Sequence, residues 1–266
     1  MKLQLFQVDA FADKPFEGNP AAIVPLETWL DDALMQRIAA ENNLAETAFF
    51  VPEGEGFHLR WFTPSVEVDL CGHATLASAH VLFRRLGYSG DVVRFATRSG
   101  ELRVRQADGG FLEMDFPAQT PAAGTVPAGL AEALGAAPVE TLETTNMIAV
   151  FDRQDDVAAL EPNFPALEAL LRPRNMGLIA TAPADKGTGW DFVSRFFAPA
   201  HGINEDPVTG SAHCSSVPYW ADRLGKPSLV ARQISSRGGT VHCEMDGARV
   251  KLRGVCAPYM EGVIEI

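Results

Sequence analysis

The amino-acid sequence predicts an α+β fold made of two similar halves, each with antiparallel strands around a central helix. The first observation is an internal repeat, because residues 72–115 match residues 210–253 at 11 of 44 positions, whereas composition alone gives about 3. The second is that helical and strand-like patterns occur in the same order in both halves. The third is the placement of helix-ending and turn residues. A glycine follows each central helix, and an Asp-Gly pair separates the last two strands of each half.

The first half opens with an amphipathic helix and continues with strands and a second, central helix. Apolar residues at helical spacing predict a helix over 28–42; these are Leu30, Leu34, Ile38 and Ala39. The central helix starts at Gly72 and ends near Gly87, where glycine accepts the left-handed cap conformation. The Asp108-Gly109 pair predicts a hairpin turn, because glycine tolerates positive φ. The predicted strands of this half are 46–51, 57–62, 101–106 and 111–116.

The second half repeats this order after a connecting segment. Residues 117–138 are rich in Ala, Pro, Thr and Gly and are interpreted as the connection. The second central helix runs from Gly210 to about Gly225, and Asp246-Gly247 is the matching hairpin turn. The predicted strands of this half and of the C-terminus are 190–197, 239–245, 248–253 and 258–266.

The repeat predicts two lobes in one chain. We expect the first lobe over residues 1–120 and the second over residues 121–257, with the final strand, 258–266, available to complete the first lobe. A chain of 266 residues and 28.7 kDa has enough apolar material for a core in each lobe.

Charge and composition exclude several classes of partner. Acidic residues outnumber basic ones by 34 to 22, which gives a net charge of −12, so we expect no nucleic-acid partner. No run of about 20 apolar residues occurs, so we expect no membrane partner. The four cysteines match neither a disulfide scaffold nor a zinc ribbon, which favours a reduced, cytoplasmic protein.

The two glycine-led helix starts are candidate anion sites. A helix N-terminus presents free N–H groups and partial positive charge, and Gly72 and Gly210 let a ligand approach the backbone closely. His73 and Ser211 follow at equivalent positions and can hydrogen-bond a ligand. Asp206 precedes the second helix, where it either caps the helix or contacts the ligand. The structural alternative is that both glycines only form tight turns.

Glu46 is the candidate general base. It precedes the apolar run Ala48–Val51, and a carboxyl group in such surroundings can take up a proton near neutral pH. The 138-residue offset places Ala184 at the matching position, so this glutamate has no repeated partner. The alternative is a solvated glutamate at the edge of a strand.

Four motifs of the sequence resemble the PhzF family, the phenazine-biosynthesis isomerase-like proteins. They are Gly18-Asn19-Pro20, Asn43-Leu44-Ala45-Glu46-Thr47-Ala48-Phe49, Cys71-Gly72-His73-Ala74-Thr75 and Glu205-Asp206-Pro207-Val208-Thr209-Gly210-Ser211-Ala212-His213. The likeness extends from Gln7 to beyond residue 213. It implies the diaminopimelate-epimerase-like fold, in which two similar α+β lobes each place a curved sheet around a central helix, with the site between them.

The resemblance also implies a chemistry and a set of site residues. In the phenazine enzyme, a glutamate moves a proton along a cyclic dienoic amino acid without a cofactor, and Glu46 matches it. The implied catalytic residues are Glu46, His73, Asp206 and Ser211. The implied substrate-binding residues are Gly72, Gly210 and Asn19.

Two alternatives to such an isomerase stay open. An epimerase or racemase of the same fold could use Glu46 with Asp206. The two-thiol form of racemisation is disfavoured, because Thr209 stands opposite Cys71 and cannot act as a thiolate base. A binding protein could keep the same pocket and perform no turnover.

Cofactors and metals are not expected from the sequence. His73 and His80 share one predicted helix but lack acidic partners at ligand spacing, so we predict no metal site. Neither a dinucleotide-binding nor a phosphate-binding glycine motif occurs. The expected partner is a small-molecule carboxylate, and an apolar edge strand would suit a homodimer.

Overall fold

The computed structural model describes residues 1–266 and divides into two compact units. The first unit comprises Met1–Asp115 together with Arg253–Ile266, and the second comprises Phe116–Leu252. The lobe boundaries expected from the sequence, at residues 120 and 257, lie a few residues further along the chain. No helix of the structure is both long and apolar enough to cross a membrane.

Six α-helices and eighteen strands form the two units. The helices are α1 (Asp32–Asn42), α2 (Gly72–Arg84), α3 (Leu130–Leu134), α4 (Gln154–Ala158), α5 (Phe164–Leu171) and α6 (Gly210–Leu224). The first nine strands are β1 (Lys2–Ala10), β2 (Asn19–Pro25), β3 (Glu46–Glu53), β4 (Gly56–Phe62), β5 (Glu67–Val68), β6 (Val92–Thr97), β7 (Gly100–Gln106), β8 (Leu112–Pro117) and β9 (Ala122–Ala123). The other nine are β10 (Glu140–Glu143), β11 (Met147–Val150), β12 (Leu178–Pro183), β13 (Phe192–Ala198), β14 (Ile203–Asp206), β15 (Ser228–Gln233), β16 (Gly239–Asp246), β17 (Arg249–Gly254) and β18 (Cys256–Glu265). This content confirms the predicted α+β class.

In the first unit, the strands pack around α2. β1 pairs antiparallel with β2, β2 pairs parallel with β3, and β3 pairs antiparallel with β4. β4 pairs antiparallel with β5 and parallel with β6, and the sheet continues antiparallel through β7 to β8. Ten of the thirteen residues of α2 are buried, which is expected of a helix that is apolar on nearly all sides.

The second unit repeats the same order of pairings. β10 pairs antiparallel with β11, β11 parallel with β12, and β12 antiparallel with β13. β13 pairs antiparallel with β14 and parallel with β15, which pairs antiparallel with β16. Nine of the fifteen residues of α6 are buried, so α6 is the counterpart of α2. The shared topology confirms the predicted pseudo-symmetric fold.

Each unit is completed by a strand that follows the last hairpin of the other repeat. β18 follows β17 in the chain and pairs antiparallel with β1, from Lys2↔Glu265 to Ala10↔Cys256. β9 follows β8 and pairs antiparallel with β10. The C-terminal strand expected over 258–266 therefore begins earlier, at Cys256, and belongs to the first unit.

The repeat does not keep one offset along its whole length. The central helices keep the 138-residue offset, since both begin at the predicted glycine. The next hairpin closes with the pair Thr97↔Gly100 in the first unit and Gln233↔Gly239 in the second, so the second turn is three residues longer. The ungapped match of Gly100 with Gly238 is therefore not a structural equivalence.

Two local expectations need correction. Residues 117–138 are more than a connection, because they contain β9 and α3, and Leu130 and Leu134 of α3 are buried in the core of the second unit. Gly225 forms the left-handed C-cap of α6 as predicted, with φ 65. The C-cap of α2 is instead Arg85, and Gly87 (φ 70) makes the left-handed turn two residues later.

Each unit holds an Arg–Glu pair at the same place in its sheet. The Nε and Nη2 groups of Arg60 donate to the two carboxylate oxygens of Glu67 at 2.7 and 2.8 Å. Those of Arg195 donate to Glu205 at 2.8 Å each. Both guanidinium groups also lie about 5 Å from the centre of a phenylalanine ring in the same strand. The first pair links β4 to β5, and the second links the equivalent strands β13 and β14.

Candidate active site

Three elements of the first unit bring polar side chains together. α1 ends at the left-handed residue Asn43 (φ 48), which redirects the chain into β3, and Glu46 is the first residue of that strand. β2 begins with Asn19 and runs parallel to β3. α2 carries His73 in its first turn, on a helix that packs against β2 and β3.

His73 is the centre of this cluster. Its Nε2 atom lies 2.9 Å from Oε2 of Glu46, and its Nδ1 atom lies 3.1 Å from Nδ2 of Asn19. The Sγ atom of Cys71 lies 3.5 Å from Nδ1 of the same ring. The His73 side chain is 6% exposed and that of Glu46 is 12% exposed, so the contact is shielded from bulk water. The structure thus brings three of the seven predicted site residues into direct contact.

Burial and neighbouring charge act in opposite directions on the imidazole. Burial disfavours the imidazolium and lowers the pKa of His73, whereas negative charge on Cys71 and Glu46 raises it, and the net pKa lies well above 6.5. Burial and the nearby Glu46 raise the pKa of the Cys71 thiol to about 11, so the thiol is protonated at neutral pH.

Asn19 influences which nitrogen of the His73 ring carries the proton. The Asn19 amide donates to Nδ1 when the ring is neutral, which leaves the ring proton on Nε2, the atom that faces Glu46. In the imidazolium form, Nε2 carries a proton as well. In either form a protonated ring nitrogen of His73 lies 2.9 Å from Oε2 of Glu46, within ion-pair distance of the carboxylate.

In the second unit, the loop before α6 forms a hydrogen-bonded turn around Asp206. The hydroxyl of Thr209 donates to Oδ2 of Asp206. Gln233, a fully buried residue of β15, donates to the Asp206 carbonyl at 2.7 Å and accepts from the Thr209 N–H at 2.9 Å. The N-cap of α6 is Thr209, so Asp206 is not the N-cap residue. Ser211 follows in the first turn and is exposed.

The two helix starts share one backbone geometry. Cys71 before α2 and Thr209 before α6 are both extended, and neither side chain makes a capping hydrogen bond. The first intrahelical bond of α2 runs from the Thr75 N–H to the Cys71 carbonyl, so the N–H of Gly72 has no partner within the helix. Gly210 occupies the same position in α6. Both starts direct partial positive charge beyond the helix end.

The strand registers correct the predicted counterpart of Glu46. Thr47 pairs with Phe62 of β4, and Leu178 pairs with Phe197, the equivalent residue of β13. Thr47 and Leu178 are therefore equivalent positions. The residue that corresponds to Glu46 is therefore Gly177, not Ala184. Because glycine is not acidic either, Glu46 still has no acidic counterpart in the second unit.

Asp206 has no acidic counterpart either. Val68 pairs with Trp61 of β4, and Asp206 pairs with the equivalent Phe196 of β13. Each unit thus contributes one unrepeated carboxylate to the predicted set. Such asymmetry is expected when a symmetric scaffold acts on an asymmetric substrate.

The sequence did not single out Gln233. A glutamine within a strand matches no motif, and its contact with the loop before α6 depends on the pairing of β13 with β15. Its side chain fixes three atoms of the Asp206–Thr209 turn. Only the fold reveals this role.

Comparison with known proteins gives consistent matches over the whole chain. A family model described as phenazine biosynthesis-like protein, PhzC-PhzF, matches residues 8–262. An uncharacterised isomerase of Pseudomonas aeruginosa is 53% identical over 266 residues, which covers 100% of both chains. The crystal structure of a PhzF family phenazine biosynthesis protein from Enterococcus faecalis covers 100% of both chains, with a TM-score of 0.94 and 42% identity.

A more distant structure supports the fold alone. A hydroxyproline epimerase from Agrobacterium vitis matches with a TM-score of 0.61 and 11% identity, covering 99% of this chain and 92% of the other. This likeness agrees with the predicted diaminopimelate-epimerase-like fold, and at that identity it says nothing of the substrate.

Proposed function

Because the chain belongs to the phenazine biosynthesis-like protein family, PhzC-PhzF, we propose that it is an isomerase that moves a proton on a small cyclic or amino carboxylate. General acid–base catalysis carries the reaction, and no cofactor takes part. The observation that supports this most strongly is the shielded contact between Glu46 and His73.

Glu46 acts first as the base and then as the acid. Its carboxylate removes a proton from a carbon of the substrate, and the C–H electron pair moves into an adjacent π system. The protonated Glu46 then returns the proton to a different carbon, so atoms and charge balance without a redox partner. His73 keeps the carboxylate oriented through the 2.9 Å contact, and Asn19 orients His73.

The remaining predicted residues bind and polarise the substrate in this proposal. The N–H groups at Gly72 and Gly210 receive the substrate carboxylate, in keeping with the partial positive charge at a helix start. Ser211 donates its hydroxyl hydrogen to the same group. Asp206, held by Thr209 and Gln233, assists the proton transfer.

Exchange of substrate hydrogen with solvent tests the proposal. The wild-type protein is incubated in D₂O with a panel of cyclic and amino carboxylates, and deuterium incorporation is followed by NMR. An isomerase incorporates deuterium at the donor or acceptor carbon and shifts the double bond. An epimerase incorporates deuterium at one stereocentre and inverts it, whereas a binding protein incorporates none.

We further propose a cytoplasmic homodimer that acts in small-molecule biosynthesis. The support is the family description and a group of exposed apolar side chains on and after β18, namely Tyr259, Met260, Val263 and Ile266. Sedimentation equilibrium checks this: a dimer is expected for the wild type, and Tyr259→Glu with Val263→Glu is expected to give a monomer.

A further inference from the structure

Three metal-binding atom types meet beside His73. A carboxylate oxygen of Glu46, Sγ of Cys71 and a ring nitrogen of His73 lie within 4.8 Å of one another. Cys71 and His73 are buried, and the Glu46 side chain is nearly so. Glu46 lies on β3, whereas Cys71 and His73 lie at the start of α2. Because these ligands are distant in the sequence, the spacing of the histidines did not predict this metal site.

The three atoms lie close to the separations that one tetrahedral ion requires, but not at them. Zn–N, Zn–O and Zn–S bonds of about 2.0 to 2.3 Å place tetrahedral ligand atoms about 3.3 to 3.6 Å apart. The observed Nε2···Oε2 separation is 2.9 Å and the Nε2···Sγ separation is 3.9 Å. Because Sγ lies nearer to Nδ1, at 3.5 Å, than to Nε2, the Cys71 side chain must rotate to bring its sulfur onto an ion held by Nε2 and Oε2. The fourth position is left for water or a ligand.

We propose that Glu46, Cys71 and His73 form a binding site for one thiophilic divalent cation, of the Zn²⁺ or Cd²⁺ class, and that its occupancy inhibits the enzyme. This inference rests on the proposed function, because the ion would occupy the carboxylate oxygen and the imidazole nitrogen that proton transfer uses. The thiol and imidazole ligands select soft or borderline ions over Mg²⁺ and Ca²⁺, which prefer oxygen ligands.

The stoichiometry follows from the repeat. The positions of the second unit that correspond to Glu46, Cys71 and His73 are Gly177, Thr209 and Ser211. None of these supplies a thiol, an imidazole or a carboxylate. The chain therefore has one such site and not two.

Binding exchanges protons for the ion. The Cys71 thiol loses its proton to solvent as the sulfur bonds to the metal, and His73 gives up the proton on the coordinating nitrogen. Glu46 binds as the carboxylate. While the ion is bound, the carboxylate is neutralised and cannot accept a proton from carbon.

The experiment uses Cd²⁺ as the probe, because a thiolate–Cd²⁺ bond absorbs in the ultraviolet and is detected without any substrate. Titration of the reduced wild-type protein is expected to give this absorption with one Cd²⁺ per chain, and Zn²⁺ is expected to remove it by competition. Cys71→Ser is expected to abolish the absorption. Glu46→Gln, which keeps the thiol and the side-chain shape, is expected to weaken Cd²⁺ binding by at least about tenfold.

Cys214→Ser is the matched control. Cys214 is also buried, but it lies on α6 with its sulfur 3.5 Å from the Gly210 carbonyl, and a serine there can make the bond that Ser216 makes to Ala212. This variant is expected to bind Cd²⁺ as the wild type does. A wild-type protein without thiolate absorption, or a Cys71→Ser variant that retains it, overturns the proposal. The absorption does not depend on turnover, so failure of the metal site and failure of the isomerase proposal are distinguished.

Discussion

His73 links the other polar residues of the first unit, since its two ring nitrogens contact Glu46 and Asn19 and its Nδ1 also lies near Cys71. A buried imidazole is normally neutral, because burial disfavours its charged form. His213, buried on α6 without a nearby carboxylate, follows that rule, and burial lowers its pKa to about 4. The pKa of His73 shifts the opposite way, because Cys71 and then Glu46 raise it against the effect of burial.

This shift makes part of the folding stability dependent on pH. Because the pKa of His73 is higher in the folded than in the unfolded chain, its contribution is fully present below about pH 6.5 and is lost as pH rises through the folded-state pKa. We expect the unfolding free energy of the wild type to fall more steeply above about pH 6.5 than that of Glu46→Gln. Urea denaturation at several pH values measures both slopes.

A second glutamate of β3 provides the control for that comparison. Glu53 is exposed at the far end of the same strand, so Glu53→Gln is expected to keep the wild-type slope. Parallel pH profiles for the wild type and Glu46→Gln would show that the carboxylate does not control the imidazole in solution.

At the scale of elements, the two Arg–Glu pairs stabilise equivalent pairs of strands, β4 with β5 and β13 with β14. Arg60 and Glu67 have side chains that are 11% and 13% exposed. Removing one partner of a buried pair costs about 3 kcal/mol. Arg60 then keeps its 2.9 Å bond to Asp32, and Arg195 keeps its 2.7 Å bond to the Leu160 carbonyl. We expect Glu67→Ala and Glu205→Ala to destabilise the protein by similar amounts, about 2 to 4 kcal/mol each, in chemical denaturation.

The pair of Lys2 and Glu265 is the exposed counterpart. Its side chains are 73% and 71% exposed, so Glu265→Ala is expected to change stability by less than about 1 kcal/mol. Equal effects of all three substitutions would contradict the stabilising role. A large effect at Glu67 alone would contradict the structural equivalence of the two units.

The helix starts of α2 and α6 give a prediction about ligand binding. A valine at Gly72 or Gly210 places a branched side chain where a ligand must reach the backbone N–H groups, so we expect each substitution to weaken carboxylate binding by at least about tenfold. Calorimetry with a panel of carboxylates measures the change. Ala33→Val, in the exposed first turn of α1, is the control. Unchanged affinity in both glycine variants would place the carboxylate site elsewhere.

At the scale of the whole molecule, local signals predicted much of the architecture. The glycine at each central helix start and the turns near Asp108-Gly109 and Asp246-Gly247 depend on neighbouring residues, and the structure has all of them. The sequence also predicted the helix of residues 28–42, which is present as Asp32–Asn42. These features follow from spacing and backbone conformation alone.

Long-range pairing was beyond the reach of local patterns. The true counterpart of Glu46 depends on strand register, because the repeat gains and loses residues in its loops. The fixation of Asp206 by Gln233 joins residues far apart in the sequence. Glu46 and His73 were assigned to one site only through the family resemblance. Their contact was not predicted, and it comes from the packing of α2 against β3.

The measurement that tests the central claim most directly compares deuterium incorporation by the wild type and Glu46→Gln, with the true substrate in D₂O. Glutamine keeps the shape of the side chain but cannot accept the proton, so the rate is expected to fall by about 10² to 10⁴. Glu53→Gln is expected to exchange at the wild-type rate, and both variants are expected to remain folded in thermal melting and to bind the substrate. A folded Glu46→Gln protein that exchanges as fast as the wild type would contradict the assignment of Glu46 as the base.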